Sequence, residues 1–154
     1  MGLAVVSGGG SGIGRASALR LAAEDHTVIV VGRRLDALEQ TAAAGPTGTI
    51  IPFAADLSTV AGAEAVAERV AGHDRPVDVI VAAAGGRGPA PRQKGSLEEI
   101  ARVWQAAFDL NVMTAVLLVE ALIPALRRPG GAISLFSSLG VARPSGLGSY
   151  GAAK

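Results

Sequence analysis

The stretch VVSGGGSGIGRA, residues 5–16, decides the fold. It begins in a short apolar run typical of a buried strand and ends in the first residues of a helical pattern. Its glycines fit the spacing Gly8-x3-Gly12-x-Gly14. Glycines at such a turn let a pyrophosphate approach the backbone N–H groups at a helix N-terminus. The stretch therefore predicts a nucleotide-binding turn between the first strand and the first helix.

Two other phosphate-binding patterns do not fit this turn. A P-loop needs Lys followed by Ser or Thr, but Arg15 and Ala16 stand at those places. The pattern Gly-x-Gly-x-x-Gly, read from Gly8, has Ile13 in place of its third glycine.

The rest of the chain alternates between short apolar runs and longer helical patterns. Runs rich in Val and Ile predict strands over 3–7, 27–31, 49–54, 77–83 and 132–137. Helical spacing predicts helices over 12–24, 34–44, 60–72 and 97–127. This order predicts a single α/β domain over 1–154 with a doubly wound, Rossmann-like parallel sheet. The irregular segment 85–95 is expected over the carboxyl edge of that sheet, where ligands bind.

Helix starts and helix faces can also be predicted. Ser58 and Ser96 are candidate N-caps, and Glu99 completes a capping-box pattern with Ser96. One apolar stripe is predicted on the last helix, formed by Ile100, Val103, Trp104, Ala107 and Phe108.

Composition excludes several classes of protein. The net charge is +1, which gives no footprint for nucleic acid or an anionic membrane, and the absence of cysteine excludes disulfides and thiolate metal sites. The N-terminus does not have the pattern of a signal peptide. The most apolar window, 112–126, is short for a bilayer span and contains Glu120 and Pro124. We therefore expect a soluble, cytoplasmic protein without a metal.

The end of the second strand indicates which nucleotide binds. In this fold an acidic residue about 20 positions after the glycine turn binds the adenosine ribose. Here Gly32 occupies that place, and Arg33 and Arg34 follow. A guanidinium can pair with a 2′-phosphate. The sequence thus favours NADP(H), with NAD(H) as the alternative.

The chain ends in GLGSYGAAK, in which Tyr150 precedes Lys154 by four residues. Together with the glycine spacing, this pair resembles the short-chain dehydrogenase/reductase family, and the resemblance runs over essentially the whole chain. It implies an oxidoreductase that interconverts a carbonyl compound and an alcohol. The implied catalytic residues are Asn111, Ser138, Tyr150 and Lys154. The implied cofactor-binding residues are Gly8, Ser11, Gly12, Ile13, Gly14, Arg33, Asp56, Leu57, Ala84, Gly85, Tyr150 and Lys154.

A phenol suits this chemistry only if a cation assists it. The ordinary pKa of a phenol is about 10, and an ammonium ion on the same helical face favours the phenolate. The resemblance implies that Lys154 also binds the nicotinamide ribose, that Asn111 supports a water-linked proton relay and that a serine hydroxyl holds the substrate oxygen.

The sequence departs from the family pattern at one place and leaves one assignment open. The Asn-Asn-Ala-Gly stretch of the family appears as Ala82-Ala83-Ala84-Gly85, so two side-chain amides are missing. The catalytic serine is Ser138 if the strand end is aligned, but Ser137 if residues are counted back from Tyr150. Alternation along a strand would allow only one of them to face the site.

The resemblance implies a domain that continues beyond the fifth strand. We therefore expect the chain to be the N-terminal part of the domain, truncated after that strand, with an uncovered sheet edge. The alternative to an enzyme is a non-catalytic NADP-binding module or an inactive fragment. The family also implies a homodimer or homotetramer, with helix 97–127 and the helix of Tyr150 as the expected interface. The sequence does not specify the substrate.

Overall fold

The computed structural model of the protein describes residues 2–88, 95–141 and 148–154. Its strands are β1 (Gly2–Ser7), β2 (His26–Gly32), β3 (Ile50–Ala54), β4 (Val79–Ala82) and β5 (Ala132–Leu135). They form a parallel sheet in the order β3-β2-β1-β4-β5. This order confirms the prediction of a doubly wound, Rossmann-like fold. It also places a crevice at the carboxyl ends of β1 and β4, where the direction of winding reverses.

The helices follow the predicted alternation with the strands. They are α1 (Gly12–Ala23), α2 (Leu35–Ala44), α3 (Val60–Ala71), α4 (Leu97–Phe108), α5 (Thr114–Leu122) and α6 (Gly148–Ala152). A π-helical turn, Asp109–Met113, joins α4 to α5, and short 3-10 turns occupy Ile123–Ala125 and Leu139–Val141. The predicted helix 97–127 is thus a continuous helical segment with a widened turn at its middle.

The sheet is covered on both faces, and the alternation of side chains along β1 shows how. Leu3 and Val5 pack in one cluster with residues of α3 and α5. Ala4 and Val6 pack in the other with residues of α1 and α2. Burial on both faces explains why the central strands are continuously apolar.

The apolar stripe predicted on α4 is only partly buried. Val103 and Ala107 are buried, but Ile100, Trp104 and Phe108 are 36%, 40% and 38% exposed. The stripe is therefore wider than the surface that its neighbours, α6 among them, cover.

The helical segment Leu97–Ala125 is long and apolar enough, by length and composition, to cross a membrane. The apolar window 112–126, which is short for a bilayer span, covers only part of this segment. Leu118 and Leu122 of this segment are fully buried in the cluster with α3 and the sheet. One face of α5 is thus packed in the core, while 28% of the segment's 18-residue apolar window is buried.

One of the two predicted helix caps is confirmed, and the other is wrong. Ser96 accepts a hydrogen bond from the N–H of Glu99 at 3.3 Å. Ser58 does not cap α3, because its hydroxyl donates to the carboxylate of Asp56 at 2.7 Å. Thr59 is the N-cap instead, and its hydroxyl accepts from the N–H of Gly62 at 3.1 Å.

The edge strand β5 is shorter than the sequence predicts. β5 ends at Leu135, not at 137, and all four of its residues are exposed. Ser137 and Ser138 therefore lie beyond the strand, and strand alternation cannot decide which of them faces the site.

Asp78 joins three segments at the amino edge of the sheet. It accepts a hydrogen bond from the N–H of Leu3 at 2.8 Å and one from Nε of Arg127. The hydrogen bond from Arg127 lowers the pKa of the Asp78 carboxyl. The side chain of Asp78 is 19% exposed and that of Arg127 is 45% exposed, so solvent screens part of the attraction.

We expect Asp78→Ala to lower the free energy of unfolding by about 1–2 kcal/mol, since a charge-assisted bond and a backbone partner are lost. A lowered folded-state pKa means that this stabilisation is present above the ordinary carboxyl pKa of about 3.9 and is lost as the pH falls through the folded value. Urea unfolding at several pH values measures the difference in the free energy of unfolding between wild type and Asp78→Ala. This difference should be constant near neutral pH and should decrease in acid. The exposed Asp74→Ala variant is the matched control. An equal loss of the free energy of unfolding in Asp78→Ala and Asp74→Ala would contradict a stabilising role for the hydrogen bonds of Asp78.

Candidate active site

A cleft of about 880 Å³ opens at the carboxyl edge of the sheet. It lies over the glycine turn, the ends of β2, β3 and β4, and one face of the helical segment from α4 to α5. A second cleft, of about 430 Å³ between the end of α3 and the segment after α5, contains none of the predicted site residues. The larger cleft is therefore the candidate cofactor site.

The glycine turn has the geometry that an anion site needs. A Cβ at Gly14 would lie 2.3 Å from the carbonyl oxygen of Gly8, so α1 can begin this close to the turn only with glycine there. Gly12 has a φ of +52°, and a Cβ at this position would meet nothing within 4 Å. Ser11 makes no side-chain cap on α1, whose first turn has no acidic residue. Within the described part of the chain, no side chain of Ser11 or of the first turn occupies the N–H groups at the start of α1. These groups could therefore bind a phosphate.

The ends of β2 and β3 bring a cation and an anion to the same side of the cleft. Arg33, Arg34 and Asp56 all line it. Asp56 accepts from the N–H of Ser58 at 3.0 Å and from its hydroxyl at 2.7 Å. These bonds, with a smaller contribution from Arg33, lower the pKa of the Asp56 carboxyl. Asp56 is thus held ionised as a hydrogen-bond acceptor, and Arg33 offers a positive charge beside it.

Ser7 supports the end of β4, where the family's amide side chains are missing. Its buried hydroxyl accepts from the N–H of Ala84 at 3.0 Å and lies 3.5 Å from the carbonyl oxygen of Val81. A hydroxyl at the end of β1 therefore supplies polar support to the alanine stretch.

Asn111 supports the next residues of the same loop. It is buried in the π-helical turn. Its Oδ1 accepts from the N–H of Gly86 at 3.0 Å, while Nδ2 donates to the carbonyl oxygens of Gly86 and Ala107, both at 2.9 Å. Both protons of the amide are used, so the side chain fixes the loop that follows β4.

Lys154 reaches the cofactor cleft from the end of the chain. Its Nζ would lie 3.0 Å from a Cβ at Gly85, and Oδ1 of Asn111 would lie 2.7 Å from the same position. Lys154, Asn111 and Gly85 therefore meet at one point. Nζ also lies 3.5 Å from the carbonyl oxygen of Phe136, just beyond β5.

Tyr150 lies in α6, four residues before Lys154, and the two serines lie between β5 and the 3-10 turn Leu139–Val141. Tyr150 is half-buried in α6, which packs against α4. α6 ends at Ala152, so Lys154 lies just past the helix and not within it. Ser137 donates to the carbonyl oxygen of Lys154 at 2.9 Å, and Ser138 accepts from the N–H of Gly140 at 3.1 Å. The assignment of Ser138 as the catalytic serine stays a prediction.

The predicted cofactor residues fall into two groups. Those that line the cleft are Gly8, Ser11, Arg33, Asp56, Leu57, Ala84 and Gly85. The others do not line it: Gly12, Ile13 and Gly14 lie in the first turn of α1, Tyr150 lies in α6 and Lys154 lies just past it. Of the loop 85–95, Gly85 and Gly88 line the cleft, and residues 89–94 lie outside the described part of the chain.

The sequence did not indicate the contribution of the long helical segment to the cleft. Ala106, Leu110 and Thr114 line it, and Asp109 lies beside them. Their spacing of four residues places the first three on one helical face, which could have been recognised as a second stripe. Nor did it indicate the hydrogen bond from the hydroxyl of Thr41, in α2, to the carbonyl oxygen of Gly9, because this bond joins distant segments.

Comparisons with known proteins agree with this geometry. The family model described as short chain dehydrogenase matches residues 2–154. A short chain dehydrogenase of Pseudocercospora fijiensis is 32% identical over 149 residues, which cover 92% of this chain and 46% of that protein. The chain thus spans about half the length of curated relatives that it matches.

Two solved structures extend the comparison. A 3-ketoacyl-ACP reductase of Sinorhizobium meliloti is 34% identical with a TM-score of 0.82, and the match covers 98% of this chain and 60% of that one. An alcohol dehydrogenase of the archaeon Thermococcus sibiricus, in complex with 5-hydroxy-NADP, is 27% identical with a TM-score of 0.84. That match covers 99% of this chain and 65% of the other.

Proposed function

The chain belongs to the short-chain dehydrogenase family, and from this membership we propose that the protein is an NADP(H)-dependent oxidoreductase. It interconverts a carbonyl compound and an alcohol by hydride transfer, with Tyr150 as general acid and base. The observation that carries the proposal is the meeting of Lys154 and Asn111 at Gly85, which itself lines the cleft. The proposed catalytic side chains Lys154 and Asn111 would thus adjoin the proposed cofactor-binding surface.

The residues of the cleft fit a dinucleotide with a 2′-phosphate. The N–H groups at the start of α1 would receive the pyrophosphate. Arg33 would pair with the 2′-phosphate, and the carboxylate of Asp56 would accept from the adenine amino group. Leu57, Ala84 and Gly85 line the cleft between these ends and Lys154.

When bound, the nicotinamide supplies or accepts the hydride. During carbonyl reduction, negative charge builds on the substrate oxygen. Tyr150 donates a proton to this oxygen, and the hydroxyl of Ser138 stabilises the charge by donating a hydrogen bond. Lys154, whose Nζ lies near Gly85, would bind the nicotinamide ribose and offer a positive charge to the site. Because the amide of Asn111 donates to the carbonyl oxygens of Gly86 in the loop and Ala107 in α4, a proton relay past this residue would run through main-chain groups and water.

A non-catalytic NADP-binding module is the second candidate. The observation that favours it is the alanine stretch 82–84 in place of the family's amides. The bonds from Ser7 and Asn111 to Ala84 and Gly86 weaken this case, since they give the loop polar support without those amides.

Titration of the purified protein with NADPH and NADH tests the proposed cofactor. We expect tight binding of NADPH and weaker binding of NADH. Binding of neither nucleotide would refute both the oxidoreductase and the module. Binding of NADPH without reduction of any carbonyl compound would favour the module.

We also propose a cytoplasmic homodimer or homotetramer that does not bind nucleic acid or membranes. Its interface would use the exposed apolar residues of α4, with Trp104 at their centre. Light scattering should give two or four times the mass of the chain. We expect Trp104→Glu to shift the protein toward the monomer by at least about tenfold in dissociation constant, because a charge would be buried in the contact. If Trp104→Glu has the same mass as the wild-type protein at all protein concentrations, the proposed interface is contradicted.

A further inference from the structure

Thr41 is a fully buried polar side chain in the middle of α2. Its hydroxyl donates to the carbonyl oxygen of Gly9 at 2.8 Å and lies 3.2 Å from the carbonyl oxygen of Ala37. The contact with Ala37 is the i−4 contact that a helical threonine commonly makes. The shorter bond is different, since it ties α2 to the glycine turn.

Gly9 is held from both sides of its backbone. Its N–H donates to the carbonyl oxygen of Val31 at 3.3 Å. A Cβ at Gly9 would lie 2.6 Å from the Cβ of Val30, so the turn lies directly against β2. The carbonyl of Gly9 points instead to α2, and Thr41 gives it a partner in a buried environment.

The orientation of this carbonyl fixes the next N–H group. A trans peptide is planar, and its C=O and N–H point in opposite directions. A Gly9 carbonyl held toward Thr41 therefore directs the N–H of Gly10 away from it. Gly10 lines the cleft beside Ser11, where the turn would meet the pyrophosphate.

We propose that Thr41 is a positioning residue for the pyrophosphate of the cofactor. It holds the Gly9–Gly10 peptide in the binding orientation without touching the ligand. This inference rests on the proposed function, because it assigns a further residue to the same cofactor site. It implies that Thr41 matters for nucleotides with a pyrophosphate and not for those that engage only the Arg33 end of the cleft.

The test compares two ligands by isothermal titration of the purified protein: NADPH, and adenosine 2′-monophosphate, which has no pyrophosphate. Thr41→Val removes the hydroxyl at nearly constant shape and should weaken NADPH binding about tenfold. Binding of adenosine 2′-monophosphate should stay within about twofold of wild type. Thr41→Ser keeps the hydroxyl and should restore most of the NADPH affinity.

A matched control removes the same kind of bond away from the cleft. Thr49 donates to the carbonyl oxygen of Pro46 at 2.7 Å, and Thr49→Val should leave both affinities unchanged. If Thr41→Val does not fold, Thr41→Cys, whose thiol is a weak donor, should show the same selective loss.

Two results would overturn the inference. In the first, the valine or cysteine variant binds NADPH as tightly as wild type. In the second, both ligands weaken equally, which would mean that Thr41 only stabilises the fold. A wild-type protein that does not bind NADPH would instead refute the proposed cofactor, and this inference with it.

Discussion

Replacing Tyr150 by phenylalanine is expected to lower kcat/KM for carbonyl reduction by about a thousandfold. The substitution removes the hydroxyl that is proposed to donate the proton and keeps the half-buried ring, so the packing of α6 on α4 should persist. General acid–base groups contribute rate factors of about 10²–10⁴, which sets the size of the effect. Although Tyr150 is also an implied cofactor-binding residue, the affinity for NADPH should fall far less than kcat/KM, because the main loss is in the transition state.

Lys154→Met distinguishes the proposed proton donation by Tyr150 from the contribution of the Lys154 ammonium group. Because Nζ lies beside the cleft at Gly85, this variant should lose both rate and NADPH affinity. Steady-state kinetics measures the loss of rate in both variants, and titration of the same preparations with NADPH shows whether affinity is lost as well. A Tyr150→Phe variant that retains more than about a tenth of the wild-type rate would contradict the assignment of the proton donor.

Replacing Arg33 by alanine is expected to weaken NADPH binding by about 10- to 100-fold and to leave NADH binding nearly unchanged. A charge-assisted hydrogen bond to phosphate contributes about 1.5–3 kcal/mol, and only NADPH has the 2′-phosphate. The preference of the wild-type protein for NADPH over NADH should also decrease at high salt, since the Arg33 end of the cleft is open to solvent. Titration with both nucleotides at two salt concentrations measures each effect.

The control for Arg33 is an arginine that lies away from the cleft. Arg69, in the last turn of α3, meets that condition, so Arg69→Ala should not change either affinity. Arg34 also lines the cleft and is expected to add to the preference. An equal loss for NADPH and NADH in Arg33→Ala would contradict recognition of the 2′-phosphate.

The fold could be predicted from the sequence because its signals are local. Continuous Val and Ile runs, such as 27–31, occur where strands are covered on both faces, and Gly12 and Gly14 mark the start of α1. The N-cap at Ser96 is equally local, since its partner Glu99 lies three residues away.

Other features depended on contacts that no local pattern reveals. Ser58 does not cap α3 because Asp56 takes its hydroxyl, and the choice between the adjacent Ser58 and Thr59 depends on backbone direction. Thr41 resembles any helical threonine until the fold brings Gly9 to it. The sequence showed that two amides are missing after β4, but only the structure shows Ser7 and Asn111 bonded to this loop.

The proposed activity is the transfer of a hydride from NADPH to a carbonyl carbon. The most direct measurement uses the purified protein, NADPH deuterated at its transferable position, and a panel of aldehydes and ketones. Mass spectrometry of the products should find an alcohol with one deuterium on its carbinol carbon, and no such product with Tyr150→Phe. If NADPH binds but no member of the panel gives a labelled alcohol, the claim of hydride transfer is contradicted.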